Sequence, residues 1–170
     1  MIKKPFVALM FLTSASFAID LGALEISPEV GVAVGQTQVG SPVDSKPMNY
    51  GVYGRVWLGT LGFVVTPQVK ANYISKKDHQ ESLGNLQYGA AIGSNFGFVA
   101  FSLTPYIGAN LSSFSKAYDN TIAYNAGIKF KPAILPFAAS VEYTYQNPDI
   151  KNTNAQAKMH NVQLMLGLHF

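Results

Sequence analysis

The feature that most constrains the fold of this chain is a two-residue alternation of apolar and polar side chains along most of its length. It is clearest at the end of the sequence, where alternate positions are apolar: Val162, Leu164, Leu166, Leu168 and Phe170. The positions between them are mostly small or polar. Because successive side chains of a β-strand point to opposite faces, a period of two predicts a strand with one apolar face.

The same alternation recurs often enough to predict eight strands. They cover residues 24–35, 49–59, 63–74, 85–96, 99–113, 121–131, 136–146 and 159–170. A tilted strand of about eleven residues spans roughly 28 Å, which matches the apolar band of an outer-membrane barrel. Strands of soluble domains are usually about five or six residues long. We therefore predict an all-β fold, an eight-stranded antiparallel up-and-down transmembrane β-barrel.

Composition excludes several other classes of protein. The 170 residues are 48% hydrophobic and only 12% charged, and they include no cysteine. These values argue against a disordered chain, a coiled coil, a disulfide scaffold and a zinc–cysteine module. After Ala18 no apolar run is long enough for a transmembrane helix. The formal net charge of +3 falls to +1 without Lys3 and Lys4, so we predict no nucleic-acid partner.

The first eighteen residues have the pattern of a secretory signal peptide. Two lysines, Lys3 and Lys4, precede the apolar stretch 6–12, and Ser16 and Ala18 supply the small residues that a signal peptidase needs. The alternative is a buried N-terminal helix of a cytosolic protein. We predict a cleaved signal peptide over 1–18 and a barrel domain over 19–170.

The connections between the predicted strands alternate in length. Short ones at 59–62, 96–98 and 131–136 alternate with mostly longer, more polar segments at 36–48, 75–84, 114–120 and 147–158. Short turns at one rim and longer loops at the other are typical of outer-membrane barrels. An even number of strands then places both ends of the barrel domain at the short-turn, periplasmic rim.

Aromatic residues on the apolar faces lie near the ends of the predicted strands. Phenylalanines mark the short-turn rim at Phe63, Phe96, Phe130, Phe137 and Phe170. Tyrosines lie nearer the loop rim at Tyr50, Tyr73, Tyr88, Tyr124, Tyr143 and Tyr145. Two aromatic girdles explain these positions because amphipathic rings favour the depth of the lipid headgroups. The general enrichment of aromatics in strands does not predict where along a strand they lie.

These patterns resemble the small eight-stranded outer-membrane β-barrels of Gram-negative bacteria, of the type of the OmpA membrane domain and the opacity-like proteins of the porin family. The resemblance covers Leu24 to Phe170 and includes the terminal Leu166-x-Leu168-x-Phe170. In that family a last strand ending in Phe is the signal read by the barrel-assembly machinery. The resemblance implies an outer-membrane monomer whose partners are outer-membrane lipid, the assembly machinery and an unidentified surface ligand.

Prolines are the main departure from the expected strand pattern. Pro28, Pro67 and Pro105 fall inside predicted strands, and each lacks the backbone donor that a sheet ladder uses. We expect bulges or local unpairing at these three positions.

Charged residues on the polar faces would point into the barrel lumen. They are Glu25, Glu29, Arg55, Lys70, Lys129 and Glu142. Side chains fill the interior of an eight-stranded barrel, and buried charges there need partners. Neighbouring strands place Glu25 or Glu29 near Arg55, with Lys70 beyond, and place Glu142 beside Lys129. We predict two ion-pair clusters that plug the lumen; the alternative is a selective pore lined by these charges.

Catalysis and metal binding have weak support in the sequence. Asp78, His79 and Ser82 form the compact nucleophile–base set of one loop and resemble the loop-borne constellation of lipid A palmitoyltransferases. Polar loops bring such residues together by chance, so we predict no enzyme and no catalytic residue. Loop carboxylates are scattered without a calcium-loop pattern, and we predict no metal site and no cofactor.

We expect an integral outer-membrane protein with a structural or surface-interaction role through its extracellular loops. One alternative is a small conduit for ions or hydrophobic molecules. The other is a lipid A-modifying enzyme.

Overall fold

The computed structural model describes residues 19–20, 25–77, 81–153 and 155–170, and its long elements are antiparallel β-strands. In the described part of the chain there are eight of them: β1 Glu25–Val39, β2 Met48–Thr60, β3 Phe63–Ile74, β4 Leu83–Ser94, β5 Phe101–Phe114, β6 Thr121–Pro132, β7 Phe137–Gln146 and β8 Met159–His169. Consecutive strands pair, and β1 pairs with β8 to close the sheet. The predicted eight-stranded up-and-down barrel is confirmed. The signal peptide predicted over 1–18 lies outside the described residues and stays a prediction.

Two short strands extend this barrel at one rim. Ile19–Asp20 pairs with the start of β1, and Phe96–Gly97 pairs with the start of β5. Both lie on the side of the short turns. Within the described residues, no helix is long and apolar enough to cross a membrane.

The wall of the barrel has an apolar outer face and a buried inner face. In β3 exposed and buried residues alternate without a break from Phe63 to Ile74. Outward aliphatic side chains remain largely exposed, for example Val52 at 59% and Ile107 at 61%. Such a continuous exposed apolar surface marks an interface with lipid or another protein rather than with water.

The connections are mostly shorter at one rim than at the other, and the first loop is shorter than predicted. Residues 61–62, 95–100 and 133–136 join strands at one rim, whereas 40–47, 75–82, 115–120 and 147–158 join them at the other. Residues 36–39 belong to β1 and not to a loop. They continue the ladder because each of them pairs with a residue at the start of β8, from Val39 opposite Met159 to Gln36 opposite Val162.

Two of the three strand prolines interrupt pairing without shifting its register. Pro67 pairs with Ala90 on one side. On its other side the ladder between β2 and β3 lacks the pairs that Pro67 and Thr66 would make, and it resumes in the same register. Pro105 pairs with Ile128 and leaves a similar gap on its other side. Pro28 pairs with Val56, and its carbonyl accepts a hydrogen bond from the Phe170 amide. Pro67 and Pro105 therefore show local unpairing, Pro28 stays paired, and none of the three forms a bulge.

All three short turns carry exposed apolar side chains. Leu61 and Gly62 both have positive φ angles, 48° and 85°, as in the two-residue turns that fit the twist of a hairpin. The Leu61 side chain is 91% exposed, Val99 is 103% exposed and Ile134 is 91% exposed. Because apolar side chains at turn tips gain nothing from water, we expect this rim to lie within the interfacial region of the membrane.

The position of the short turns in the membrane can be measured because the chain has no native cysteine. Val99→Cys and Ile134→Cys, labelled with an environment-sensitive dye in lipid vesicles, are expected to emit at shorter wavelength than labelled Lys116→Cys in a loop of the opposite rim. Equal, water-like emission from all three sites would contradict this placement.

Candidate functional site

The carboxylate of Glu29 is the centre of the hydrogen bonds inside the barrel. Its Oε1 accepts from the Tyr53 hydroxyl at 2.7 Å and from Arg55 Nε and Nη2 at 3.0 and 2.7 Å. Its Oε2 accepts from Trp57 Nε1 at 2.7 Å and lies 3.4 Å from His169 Nδ1. Glu29 is fully buried, and these donors provide the polar contacts that a buried carboxylate requires.

Arg55 connects this cluster to the opposite wall. Its Nη1 donates to the Tyr106 hydroxyl at 3.2 Å, and Nη2 donates to Ser140 Oγ at 2.8 Å. The guanidinium carbon lies 4.7 Å from the centroid of the Tyr53 ring and 4.9 Å from that of Trp57. A weakly hydrated, planar cation suits this aromatic environment.

Glu142 forms the second half of the network. It makes an ion pair with Lys70, and Thr144 Oγ1 donates to it at 3.2 Å. The Tyr106 hydroxyl donates to its Oε2 at 3.0 Å, so Tyr106 joins Arg55 to Glu142. The two ion pairs therefore belong to one continuous network and not to two separate clusters.

The partner of Glu142 differs from the pairing expected from neighbouring strands. Lys129 lies one strand away from Glu142, but it is Ser140 that stands opposite it in the ladder. The Lys129 ammonium instead lies 3.6 Å from the centroid of the Trp57 ring. Because the interior of an eight-stranded barrel is narrow, Lys70 reaches Glu142 from the far wall.

Glu25 is the predicted lumen charge that the structure leaves outside this network. It lies exposed at the short-turn rim and accepts a hydrogen bond from Ser27 Oγ at 2.8 Å. Alternation places Glu25 on the inner face as predicted. It is the first residue of β1, however, so its side chain lies at the open end of the barrel and not in the enclosed lumen. The ion pair with Arg55 is made by Glu29, one of the two partners expected.

Aromatic side chains in the lumen were not predicted as site residues. Three aromatic residues lie on the inner faces of β2 and β5, namely Tyr53, Trp57 and Tyr106. In the sequence they alternate in phase with charged or polar residues, and this phase could have identified them as lumen residues. Glycines make room for their rings. A Cβ on Gly127 would lie 2.6 Å from the Tyr106 hydroxyl oxygen, and a Cβ on Gly167 would collide with the Tyr53 hydroxyl.

Amide and hydroxyl side chains occupy the lumen between this network and the loops. Asn49 Nδ2 donates to Asn161 Oδ1 at 2.6 Å, and Gln163 Nε2 donates to Asn49 Oδ1 at 2.8 Å and to Asn72 Oδ1 at 2.9 Å. On another part of the wall, Ser112 Oγ donates to Gln146 Oε1 at 2.8 Å. Neutral polar contacts thus continue where the charged ones end.

An apolar cluster lies across the loop end of the lumen, and we call it the lid. It consists of Val39, Ile74, Leu83, Phe114, Tyr118, Ala157 and Met159, with Val43 and Ile150 packed against it. The rings of Phe114 and Tyr118 lie 5.4 Å apart. Burial under the loops raises the pKa of the Tyr118 phenol. The lid joins strand ends to loop residues, so it restricts the movement of the loops.

The residues predicted to form aromatic girdles point outward. Phe63, Phe96, Phe130, Phe137, Tyr50, Tyr73, Tyr88, Tyr124 and Tyr143 are all exposed. Tyr88 is the sixth residue of β4 and lies at mid-strand, so its position is not that of a rim residue. At the chain end Leu166 is exposed, and Leu168 and Phe170 are half-buried. The assembly role of these three residues stays a prediction.

The candidate catalytic set cannot be assembled from the described residues. Asp78 and His79 lie outside them, and Ser82 is half-buried next to the start of β4. Within the described ranges no three histidine, aspartate or glutamate side chains come close enough to hold a metal ion.

A closed wall, an apolar outer face and a polar, charge-paired interior define a small membrane-spanning β-barrel. The chain belongs to the outer membrane protein beta-barrel domain family, whose model matches residues 5–170. It is an outer-membrane β-barrel protein. No curated protein sequence matches the chain significantly.

Solved structures with this fold are small outer-membrane barrels. The outer membrane enzyme PagL superposes with a TM-score of 0.62 at 13% identity, over 82% of this chain and 98% of PagL. Neisserial surface protein A gives 0.57 at 15% identity, over 84% and 95% of the two chains. Ail, the attachment invasion locus protein of Yersinia pestis, gives 0.52 at 16%, over 87% and 99%. These similarities concern the fold alone.

Removal of the central carboxylate is expected to destabilise the barrel strongly. Glu29→Ala leaves the buried Arg55 without its counter-ion, which typically costs about 3–5 kcal/mol. The free energy of unfolding in lipid vesicles can be followed by the fluorescence of Trp57, the single tryptophan of the chain, during urea titration.

A matched control is available at the surface. Glu81 lies 3.8 Å from Lys116, and both side chains are largely exposed. Glu81→Ala is therefore expected to change the unfolding free energy by less than about 1 kcal/mol. Equal losses in the two variants would show that the buried network does not stabilise the fold as described.

Proposed function

We propose that this protein is a non-conducting outer-membrane scaffold that presents its four loops at the cell surface. The observation that carries the proposal is the hydrogen-bonded network that runs from Glu29 through Arg55 and Tyr106 to Glu142 and Lys70. A barrel built to conduct ions would keep a hydrated path through its interior. Here the charged groups are directed at one another.

Burial supports this proposal. Three charged residues are each at most 3% exposed: Arg55, Lys70 and Glu142. The side chains that contact them come from several strands of the barrel. A permeating ion would have to separate one of these pairs, and each separated charge would then lack its partner in a poorly hydrated interior. The network therefore opposes ion passage as well as stabilising the fold.

The lid supplies a second barrier in series with the network. Its buried residues are apolar at the point where an ion would enter from the loop side. An ion that loses its hydration there would gain no polar contact in exchange. A non-conducting barrel needs only one such barrier, and this one has two.

The loops support a role at the surface because they are short and held in place. Tyr118 forms a β-bridge with Ile150, and Asp149 forms one with Gln156. Gln156 Nε2 also donates to Asp149 Oδ1 at 2.9 Å. A fixed loop surface can bind a partner without losing much conformational entropy. Two structures of the same fold are neisserial surface protein A and the attachment invasion locus protein of Yersinia pestis, which is consistent with this role.

The first test of the proposal is electrical. The wild-type barrel, refolded and inserted into a planar lipid bilayer, is expected to give no steady conductance. The combined variant Glu29→Ala, Arg55→Ala and Phe114→Ser removes one ion pair completely and breaks the lid, so conductance is expected to appear.

Controls make this result interpretable. Each barrier weakened alone, by the double variant Glu29→Ala, Arg55→Ala or by Phe114→Ser, is expected to stay silent because the other barrier is intact. The heat-dependent gel mobility of folded barrels confirms that each variant is closed before recording. Steady conductance from the wild-type barrel would refute the plug and favour the conduit as the function.

The surface role is tested by ligand binding to the barrel in nanodiscs. A screen of extracellular-matrix proteins and surface polysaccharides is expected to yield a ligand whose binding falls when Asp149→Ala and Gln156→Ala loosen the longest loop. Leu61→Ser, at the opposite rim, is the control and is expected to leave binding unchanged. An equal loss of ligand binding in the loop variant and in Leu61→Ser would contradict a surface role of the loops. The absence of binding to any ligand class would contradict it as well.

A further inference from the structure

A groove with an alanine floor crosses the outer face of the barrel. Ala90 pairs with Ala109 across β4 and β5, and Ala126 lies on the next strand opposite Ile107. All three alanines point outward and are exposed. Small side chains on three adjacent strands lower the surface there, and the resulting groove has a volume of about 520 Å³.

Larger side chains form the walls of this groove. Ile92 and Ile107 lie on the side of the short turns. Tyr124, Tyr143 and Tyr145 lie on the side of the loops, near the ends of β6 and β7. The dimensions and the apolar lining suit a flexible hydrocarbon chain, which gains dispersion contacts with the floor and both walls.

The loop side of the groove ends in polar groups. The Tyr143 hydroxyl lies 2.6 Å from His160 Nδ1, and the His160 ring centroid lies 5.2 Å from that of Tyr145. When the hydroxyl donates to Nδ1, the ring proton is on Nε2, which is then a hydrogen-bond donor. Lys158 is exposed two residues before His160, and alternation places it on the same face of the chain.

We propose that this surface binds lipid A, with one acyl chain in the alanine groove and a phosphate group at His160 and Lys158. A phosphate oxygen accepts strong hydrogen bonds from an imidazole N–H and from an ammonium group. The apolar and the polar part lie in the order in which a membrane lipid presents them, with the phosphate toward the surface.

The position of the site selects lipid A over a phospholipid. The polar groups lie at the rim that carries the longer loops, which faces outward in outer-membrane barrels. Lipid A is the phosphorylated lipid of that outer leaflet in Gram-negative bacteria. This binding is independent of whether the lumen conducts, because groove and lumen lie on opposite sides of the wall.

A second groove on the same wall provides an internal control. It has a volume of about 660 Å³, and its outward-facing lining includes Pro28, Gly54, Pro67 and Tyr88. No charged or imidazole side chain is among its outward-facing lining residues. A Cβ on Gly54 would meet only ordinary contacts at 3.9 Å, so a large residue can be introduced there.

The test compares lipid binding by native mass spectrometry of the barrel released from detergent micelles. The probes are purified bisphosphorylated lipid A and, separately, dipalmitoyl phosphatidylglycerol. Ala109→Trp fills the groove, and the pair Lys158→Gln, His160→Ala removes the phosphate contacts. Gly54→Trp fills the control groove, and Lys116→Gln removes an exposed lysine elsewhere.

Lipid A is expected to bind the wild-type barrel more tightly than phosphatidylglycerol does. Ala109→Trp and the double variant Lys158→Gln, His160→Ala are each expected to weaken lipid A binding about tenfold, or ~1.4 kcal/mol. Gly54→Trp and Lys116→Gln are expected to retain it. Circular dichroism and heat-dependent gel mobility establish that every variant is folded.

Three outcomes would overturn the proposal. Equal affinity for the two lipids would assign the site to phosphorylated lipids in general and not to lipid A. An equal loss of lipid A affinity in Ala109→Trp and Gly54→Trp would show that lipid A contacts the outer face of the barrel nonspecifically. Unchanged lipid A binding in Ala109→Trp or in the double variant would exclude the groove or its polar end from binding.

Discussion

The pairing of β1 with β8 is the interaction on which the rest of this structure depends. Hydrocarbon offers no hydrogen-bond partners, so a sheet can cross a membrane only when no strand has a free edge. Eleven consecutive residue pairs, from Val39 opposite Met159 to Glu29 opposite His169, join the first long strand to the last. Once this ladder closes the wall, alternation determines which side chains face lipid and which face the interior.

Closure with eight strands then determines the chemistry of the interior. The enclosed space is so narrow that side chains from opposite walls touch, as Lys70 and Glu142 do. A charge in such a space needs a counter-charge, and polar neighbours must satisfy the remaining hydrogen bonds. Glu29, with Arg55, Tyr53 and Trp57 as donors, meets both requirements. The filled interior therefore follows from strand number as much as from residue choice.

The sequence was sufficient to predict the wall of the barrel. Alternation identified the eight strands, their inner and outer faces and the rim that carries short turns, because each of these depends on local sequence. It also placed Glu29 and Arg55 on adjacent strands, and in the structure these two residues are directly opposite each other in the ladder.

Contacts across the lumen could not be predicted in the same way. Lys70 and Glu142 are 72 positions apart, and their contact depends on barrel diameter and stagger, which a single sequence does not encode locally. The lid also joins residues that are far apart in the sequence, since Val39 and Met159 come from opposite ends of the barrel domain. The extension of β1 to Val39 was missed because Gln36 to Gln38 are polar or hydroxylated, and only pairing with β8 shows that they are strand residues.

The lid also affects how the exposed surface of this protein can change during evolution. Val43, Tyr118 and Ile150 belong to three different loops and anchor them to the lid. The remaining loop lies between β3 and β4, and no residue of its described part belongs to the lid. Substitutions and insertions there leave the lid intact. Sequence variation is therefore expected to accumulate first in this loop, while the other three loops change slowly.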